Sequence, residues 1–143
     1  MFSIAANKDY AVDALDISTA FLNGDIHRDV YVKQPPGFVD KDHPNKFWKL
    51  RKSLYGLRQS PCIWYMTLHS FVVQQGFVRS DYESCLYVCR NSSTGEETMV
   101  VIYVDYLVIS SSDPSNVRDL KLFFASRFKI TDLGSFTDSN SGY

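Results

Sequence analysis

Tyr103-Val104-Asp105-Tyr106 lies between two apolar, β-rich runs, Met99 to Val104 and Leu107 to Ser111. Two such runs around a short turn read as a β-hairpin that lifts Asp105 to the edge of a sheet. An isolated Asp in a hairpin is ordinary turn chemistry, because its side chain bonds its own backbone. Whether this one carries function depends on the rest of the chain.

On the N-terminal side, Cys85 to Arg90 forms another β-rich run, and the Asn91 to Glu97 segment that follows has the composition of a hairpin loop. On the C-terminal side, Asp113-Pro114 opens a helix with Val117, Leu120, Lys121, Phe124 and Phe128 on its periodic face, and Lys129-Ile130-Thr131 returns as a strand. Further upstream, Ser60-Pro61 reads as a capping hydroxyl followed by Pro at the first helical position. Ile63, Trp64, Leu68, Phe71, Val72 and Gln75 keep helical spacing up to a stop at Gly76. Residues 2 to 9 read as a short helix and Ala11 to Asp16 as an alternating strand. Val30-Tyr31-Val32, stopped by Pro35-Pro36-Gly37, and Lys46 to Leu50 form a hairpin-like excursion. The resulting order, α-β-(β-β)-α-β-β-β-α-β, predicts an α+β fold: a split βαβ arrangement whose helices cover one face of an antiparallel sheet.

At 143 residues, 45% apolar and 15% aromatic, the chain is long enough for one packed domain. Its net charge is only −1. Lys46, Lys49, Arg51, Lys52 and Arg58 nevertheless place five positive charges within thirteen residues, either a local basic patch or a solvated face. Cys62, Cys85 and Cys89 lack paired CxxC spacing and predict reduced core thiols. His27, His43 and His69 form no ligand cluster, and Asn91-Ser92-Ser93 reads as a turn. No run has the length of a signal peptide or a membrane span, so a cytoplasmic or nuclear location is expected. The segment 135–143, polar and rich in Gly and Ser, is expected to fray as a tail.

Four blocks, in order, carry a resemblance. They are Asp16-Ile17-Ser18-Thr19-Ala20-Phe21-Leu22-Asn23-Gly24; Lys49 to Pro61 with Trp64-Tyr65; Gly76-Phe77 with Arg79 to Tyr87; and the Tyr103–Tyr106 turn. Together they resemble the reverse transcriptase (RNA-directed DNA polymerase) domain of copia-type long-terminal-repeat retrotransposons over about residues 1–134. The resemblance implies a polymerase palm-like fold with a ferredoxin-like core, and a partial domain, with a fingers segment expected before it and a thumb after it. It assigns Asp16 and Asp105 to Mg²⁺ and so to two-metal nucleotidyl transfer on an RNA or DNA template-primer with a dNTP. Where the family has a second consecutive Asp, this chain has Tyr106, a phenol that stays neutral at physiological pH. That degenerate position implies weakened metal binding and an inactive fragment; the alternative is a simple strand aromatic.

Phe21 falls where the family places an aromatic beneath the nucleotide sugar, and Gly56, Gln59, Ser60 and Pro61 fall where it shapes the nucleotide pocket. From spacing alone, Phe21 also reads as a core residue and the second group as a helix-capping loop. A non-catalytic relic, or a co-opted module binding nucleic acid or protein, is the alternative function. Without fingers and thumb, exposed apolar surface is expected to drive association.

Overall fold

The centre of the main sheet is set by one ladder. Strand β1 (Ala11–Ile17) pairs antiparallel with β7 (Tyr106–Ser111) from Ala11↔Ser111 to Asp16↔Tyr106 without a break. The computed structural model describes residues 2–136, and in it β1 lies between β7 and β8 (Ile130–Ser135). Beyond β7 come β6 (Glu97–Tyr103), β5 (Leu86–Arg90) and β4 (Val78–Arg79), so the antiparallel order is β4-β5-β6-β7-β1-β8. Helices α1 (Phe2–Lys8), α2 (Ser60–Val73) and α3 (Pro114–Arg127) complete a mixed α/β fold.

Two compact units divide the chain: one takes it up to Ala20 and again from Leu68, the other is Phe21–Thr67. The sheet belongs to the first. In the second, β2 (Tyr31–Lys33) and β3 (Phe47–Lys49) pair as an antiparallel ribbon, as the excursion predicted.

Side chains alternate across a strand, so partners in register share a face. Asp13, Ile109, Val100 and Tyr87 form one such row across β1, β7, β6 and β5. Lys121 of α3 bonds Asp13 at one end of the row, and His69 in the C-terminal half of α2 meets the Tyr87 hydroxyl at 2.8 Å at the other. Helix α3 and the C-terminal half of α2 therefore meet this same face. Leu15, Leu107, Ile109, Val100 and Phe124 are fully buried in this core, each stabilising the fold by about 1.5–3 kcal/mol through removal of apolar surface from water. The Phe71 ring of α2 stacks on Phe123 of α3 at 4.1 Å between centroids and meets Phe128 edge-on at 4.9 Å.

The helix starts differ in kind. Asp113 caps α3, accepting from the Ser115 N–H at 2.8 Å, with Pro114 in the first turn. Ser60 does not cap α2. Its hydroxyl donates to the Leu54 carbonyl at 2.5 Å, while the Gln59 carbonyl accepts from Ile63 N–H, so the side chain anchors the preceding loop. The helix ends at Val73, with Gly76 at φ 84° closing the turn. One element escaped the sequence reading, edge strand β4, while the turn expected after Asp16 is a 3-10 turn at Ala20–Asn23. The expectation of core thiols fails, since Cys62 is exposed and Cys85 and Cys89 are half-buried. Of the segment read as a tail, Ser135 ends β8 opposite Asp13 and Phe136 N–H bonds the Val12 carbonyl at 2.9 Å; 137–143 lie outside the described residues.

Lys121 also bonds Asp132 of β8 at 2.7 Å, joining α3, β1 and β8 through one largely buried ammonium. Burial alone would lower the Lys121 pKa, but the hydrogen bonds and charges of Asp13 and Asp132 outweigh it and hold the ammonium above its ordinary value. Asp132 lies below the usual carboxylate range because Lys121, and then the Gly134 N–H, bond its charged form. A carboxyl depressed in the folded state contributes stability above its unfolded value of about 3.9 and loses it as pH falls through the folded value. The lysine's contribution persists below about 10.4 and is lost only as pH rises through its raised folded value. Lys121→Met should therefore cost about 1–3 kcal/mol at pH 7 in urea unfolding. The difference from the unmodified chain should shrink below about pH 4; a pH-independent difference would count against the ion triad.

Candidate active site

Tyr103 and Tyr106 are cross-strand partners, so Val104 and Asp105 form a two-residue hairpin loop. Val104 has φ 56° and is the only one of the two residues with positive φ, the pattern of a II′ turn. That position favours Gly, so a β-branched residue there stores about 1–3 kcal/mol of strain. The tight loop holds Asp105 at the end of the sheet, where its carbonyl accepts from Ile17 N–H at 2.8 Å and ties the hairpin to β1.

Asp16 lies directly across from Tyr106. It is three residues from Asp13, an odd separation, and so faces the side of the sheet opposite the helices. Tyr106, three residues from Ile109, faces that side too, and its partner Tyr103 joins it. The two phenol-bearing residues are exposed, and Asp16 and Asp105 are half-exposed. Sequence positions far apart are thus gathered at one end of two adjacent strands: Asp16, Asp105 and Tyr106. Thr131 of β8 pairs with Asp16 on its other side, and the Lys129 carbonyl accepts from Ser18 N–H at 2.9 Å, bringing an exposed lysine to the same end.

Phe21, Gly56, Gln59, Ser60 and Pro61 belong to the second unit. Phe21 is buried, its ring 4.4 Å from that of Tyr55. Gly56 has φ 91° with open space around it, a backbone that L side chains rarely adopt. Gln59 lines a cavity of about 280 Å³ with Asp25, Ile26, His27, Arg28 and Ile63. Ser60 and Pro61 begin α2 as described.

Two residues of this unit were missed by the sequence reading. The buried Ser53 hydroxyl donates to the Phe21 carbonyl, and Ser53 N–H donates to the Gly24 carbonyl at 2.9 Å, so Ser53 pins the turn that carries Phe21. Gly24 is required by space: an added Cβ would stand 2.5 Å from the Ile63 Cγ2 methyl and 3.1 Å from Ser53 Oγ. The Asn23-Gly24 pair was a turn signal; nothing in sequence marked Ser53.

The chain matches the family model described as reverse transcriptase (RNA-dependent DNA polymerase) over residues 1–139, and it belongs to that family. Its similarity is to copia-type elements. It is 36% identical over 132 residues to the retrovirus-related Pol polyprotein from transposon RE1 of Arabidopsis thaliana, covering 92% of this chain and 9% of that protein. It is 37% identical to the Pol polyprotein from transposon TNT 1-94 of Nicotiana tabacum, covering 94% of this chain and 10% of that protein. It is 35% identical to the transposon Ty1-GR3 Gag-Pol polyprotein of Saccharomyces cerevisiae, covering 95% and 7%. The chain thus spans about a tenth of the length of these relatives.

Reverse transcriptases of this kind generally use Mg²⁺. Among the described residues no group of three His, Cys, Asp or Glu side chains is placed to hold a metal ion. Magnesium takes one or two carboxylates plus substrate oxygens, and the chemistry of the Asp16 and Asp105 side chains fits that donor type, whereas the Tyr106 phenol does not. Among the same residues no helix is long and apolar enough to cross a membrane.

Gly24→Ala should destabilise the chain by about 1–3 kcal/mol through overpacking against Ile63 and Ser53. In thermal unfolding, Gly24→Ala combined with Ile63→Leu, which lacks the β-branch methyl that the new Cβ would meet, should recover part of the loss. An unchanged melting temperature for the single variant would contradict the close packing.

Proposed function

We propose that this chain is the palm portion of a copia-type RNA-directed DNA polymerase, with Asp16 and Asp105 as its metal-binding carboxylates, and that Tyr106 leaves it without efficient nucleotidyl transfer. The observation that carries this reading is the placement of Asp16 across from Tyr106 while the Asp105 carbonyl bonds Ile17 N–H. The order β8-β1-β7-β6, with α2 between β1 and β6 and α3 between β7 and β8 in sequence, supports a split βαβ, ferredoxin-like palm.

Asp16 and Asp105 would hold the cation. Bound there, Mg²⁺ supplies activation of the attacking 3′ hydroxyl and charge stabilisation at the leaving pyrophosphate. The chain's own task is positioning: the II′ turn fixes Asp105, and the β1 ladder fixes Asp16. Template-primer and dNTP are the substrates of this reading. Phe21 would face the nucleotide sugar, with Gly56, Gln59, Ser60 and Pro61 shaping its pocket; a glycine backbone allows close approach of a ligand. Residues 1–134 are then a partial domain working with fingers and thumb, in cytoplasm or nucleus. Alone, the chain associates through apolar groups such as Val78 on its edge strand, and sedimentation at tens of micromolar reads this directly. A clean monomer would oppose it.

The loss of the third carboxylate favours a second reading, a non-catalytic module that binds nucleic acid or protein, and one experiment separates the two. In a chimera in which this segment replaces the matching part of the TNT 1-94 polyprotein, Mg²⁺-dependent primer extension should rise about 10²- to 10³-fold on Tyr106→Asp. Asp105→Asn should abolish it in both backgrounds. Equal extension by the chimera with and without Tyr106→Asp would overturn catalytic silence. No extension by either, with binding retained, would favour the module.

A further inference from the structure

Charge is not spread evenly along this chain. Of its 15 Lys and Arg, eight lie in Phe21–Thr67, against four of its 16 Asp and Glu, so this unit carries +4 while the remainder, with seven and twelve, carries −5. The near-zero net charge hides a basic unit. Within it the β2–β3 register sets Tyr31 opposite Lys49 and Lys33 opposite Phe47. Residues two apart on a strand share a face, so all four share one, with aromatic and ammonium groups alternating along both strands. All four are exposed, Tyr31 by 57% and Phe47 by 58%.

Exposed rings on a short two-stranded ribbon call for an explanation, because in water they stabilise nothing by burial. The ribbon is also braced. The Gln34 side-chain amide donates to the His43 and Lys46 carbonyls at 2.9 Å each, and its oxygen accepts from Asp40 N–H at 2.7 Å, which closes the loop beyond the strands. At the base, Leu50 N–H bonds the Val30 carbonyl at 2.9 Å, Ile26 N–H bonds the Arg51 carbonyl at 3.1 Å, and Lys52 bridges Asp25 at 2.7 Å. A face held in advance binds without a large ordering cost.

We infer that the Tyr31–Lys33–Phe47–Lys49 face of the β2–β3 ribbon is a metal-independent binding site for single-stranded nucleic acid. Bases stack on Tyr31 and Phe47 while Lys33 and Lys49 pair with phosphates, the combination that sequence-tolerant single-strand binders use. The rings stand on a diagonal, with about 7–8 Å between such positions, a span open to neighbouring bases splayed from an extended strand. Asp29 bonds Lys49 at 2.6 Å in an exposed pair. It competes with phosphate for that ammonium, and gives the site a substitution of opposite sign.

The inference does not depend on the polymerase reading, which concerns Asp16 and Asp105. The test uses the full chain in EDTA, which silences any metal-dependent binding, with fluorescein-labelled dT20 and rU20 read by anisotropy across a salt series. Both probes should bind, since neither stacking nor phosphate pairing reads a 2′ hydroxyl, and a duplex of equal length should bind more weakly. Tyr31→Ala with Phe47→Ala should weaken binding about 10-fold or more, whereas Tyr31→Phe with Phe47→Tyr should retain it. Lys33→Gln with Lys49→Gln should flatten the log–log salt slope by about 1.4, and Asp29→Asn should tighten binding. Circular dichroism checks folding of each variant. Unchanged affinity in the alanine pair, equal affinity for the duplex, or equally good displacement by polyglutamate would overturn the proposal.

Discussion

The antiparallel ladder between β1 and β7 is the constraint on which the rest of the main unit depends. It runs from Ala11↔Ser111 to Asp16↔Tyr106. Because side chains alternate with a period of two, a slip by one residue would exchange the two faces of β1 at every position. The present register turns Leu15 and Ile17 into the core and Asp13 toward Lys121, and leaves Asp16 on the opposite face beside the hairpin. Core and site are thus consequences of one pairing. Burial of Leu15 against Leu107 fixes the register, and the register delivers the carboxylate.

The hairpin adds a second constraint, with strain of its own. A positive φ at Val104 is costly for a β-branched residue, and the cost is borne by the pairing of β6 with β7 on one side and the Ile17–Asp105 backbone bond on the other. Tyr106 opens β7 directly after this turn, exposed and across from Asp16. The scaffold of the site is thereby separate from its chemistry. The scaffold follows from backbone geometry, and the chemistry from one side chain.

Much of this was legible in the sequence because the β-branched runs and the helix stripes are strongly periodic. Trp64, Leu68 and Val72 recur every four residues and are all buried. The placing of Asp16 at the end of one strand and Asp105 in a neighbouring hairpin was legible from the apolar runs around them. Other features were hidden for physical reasons. Strand β4 has two residues and exists only because β5 offers an edge, so no local pattern announces it. Cys62 was read as a core thiol, but it stands two positions before Trp64, roughly half a helical turn away, and so faces water. Ser60 looked like a cap, yet its hydroxyl found the Leu54 carbonyl in the preceding loop. The Asp13–Lys121–Asp132 cluster joins residues remote in sequence whose types normally mark surface, and only the fold shows them packed together.

The central claim is that β1 and the hairpin bring Asp16 and Asp105 together as a cation site that Tyr106 has diminished. Titration of the chain with Mn²⁺, followed by electron paramagnetic resonance, tests this without any polymerase assay. The account predicts one weakly bound ion per chain, lost on Asp16→Asn and on Asp105→Asn, with a second ion or a tighter one appearing on Tyr106→Asp. Mn²⁺ binding that survives the loss of both carboxylates, or that does not respond to Tyr106→Asp, would contradict it.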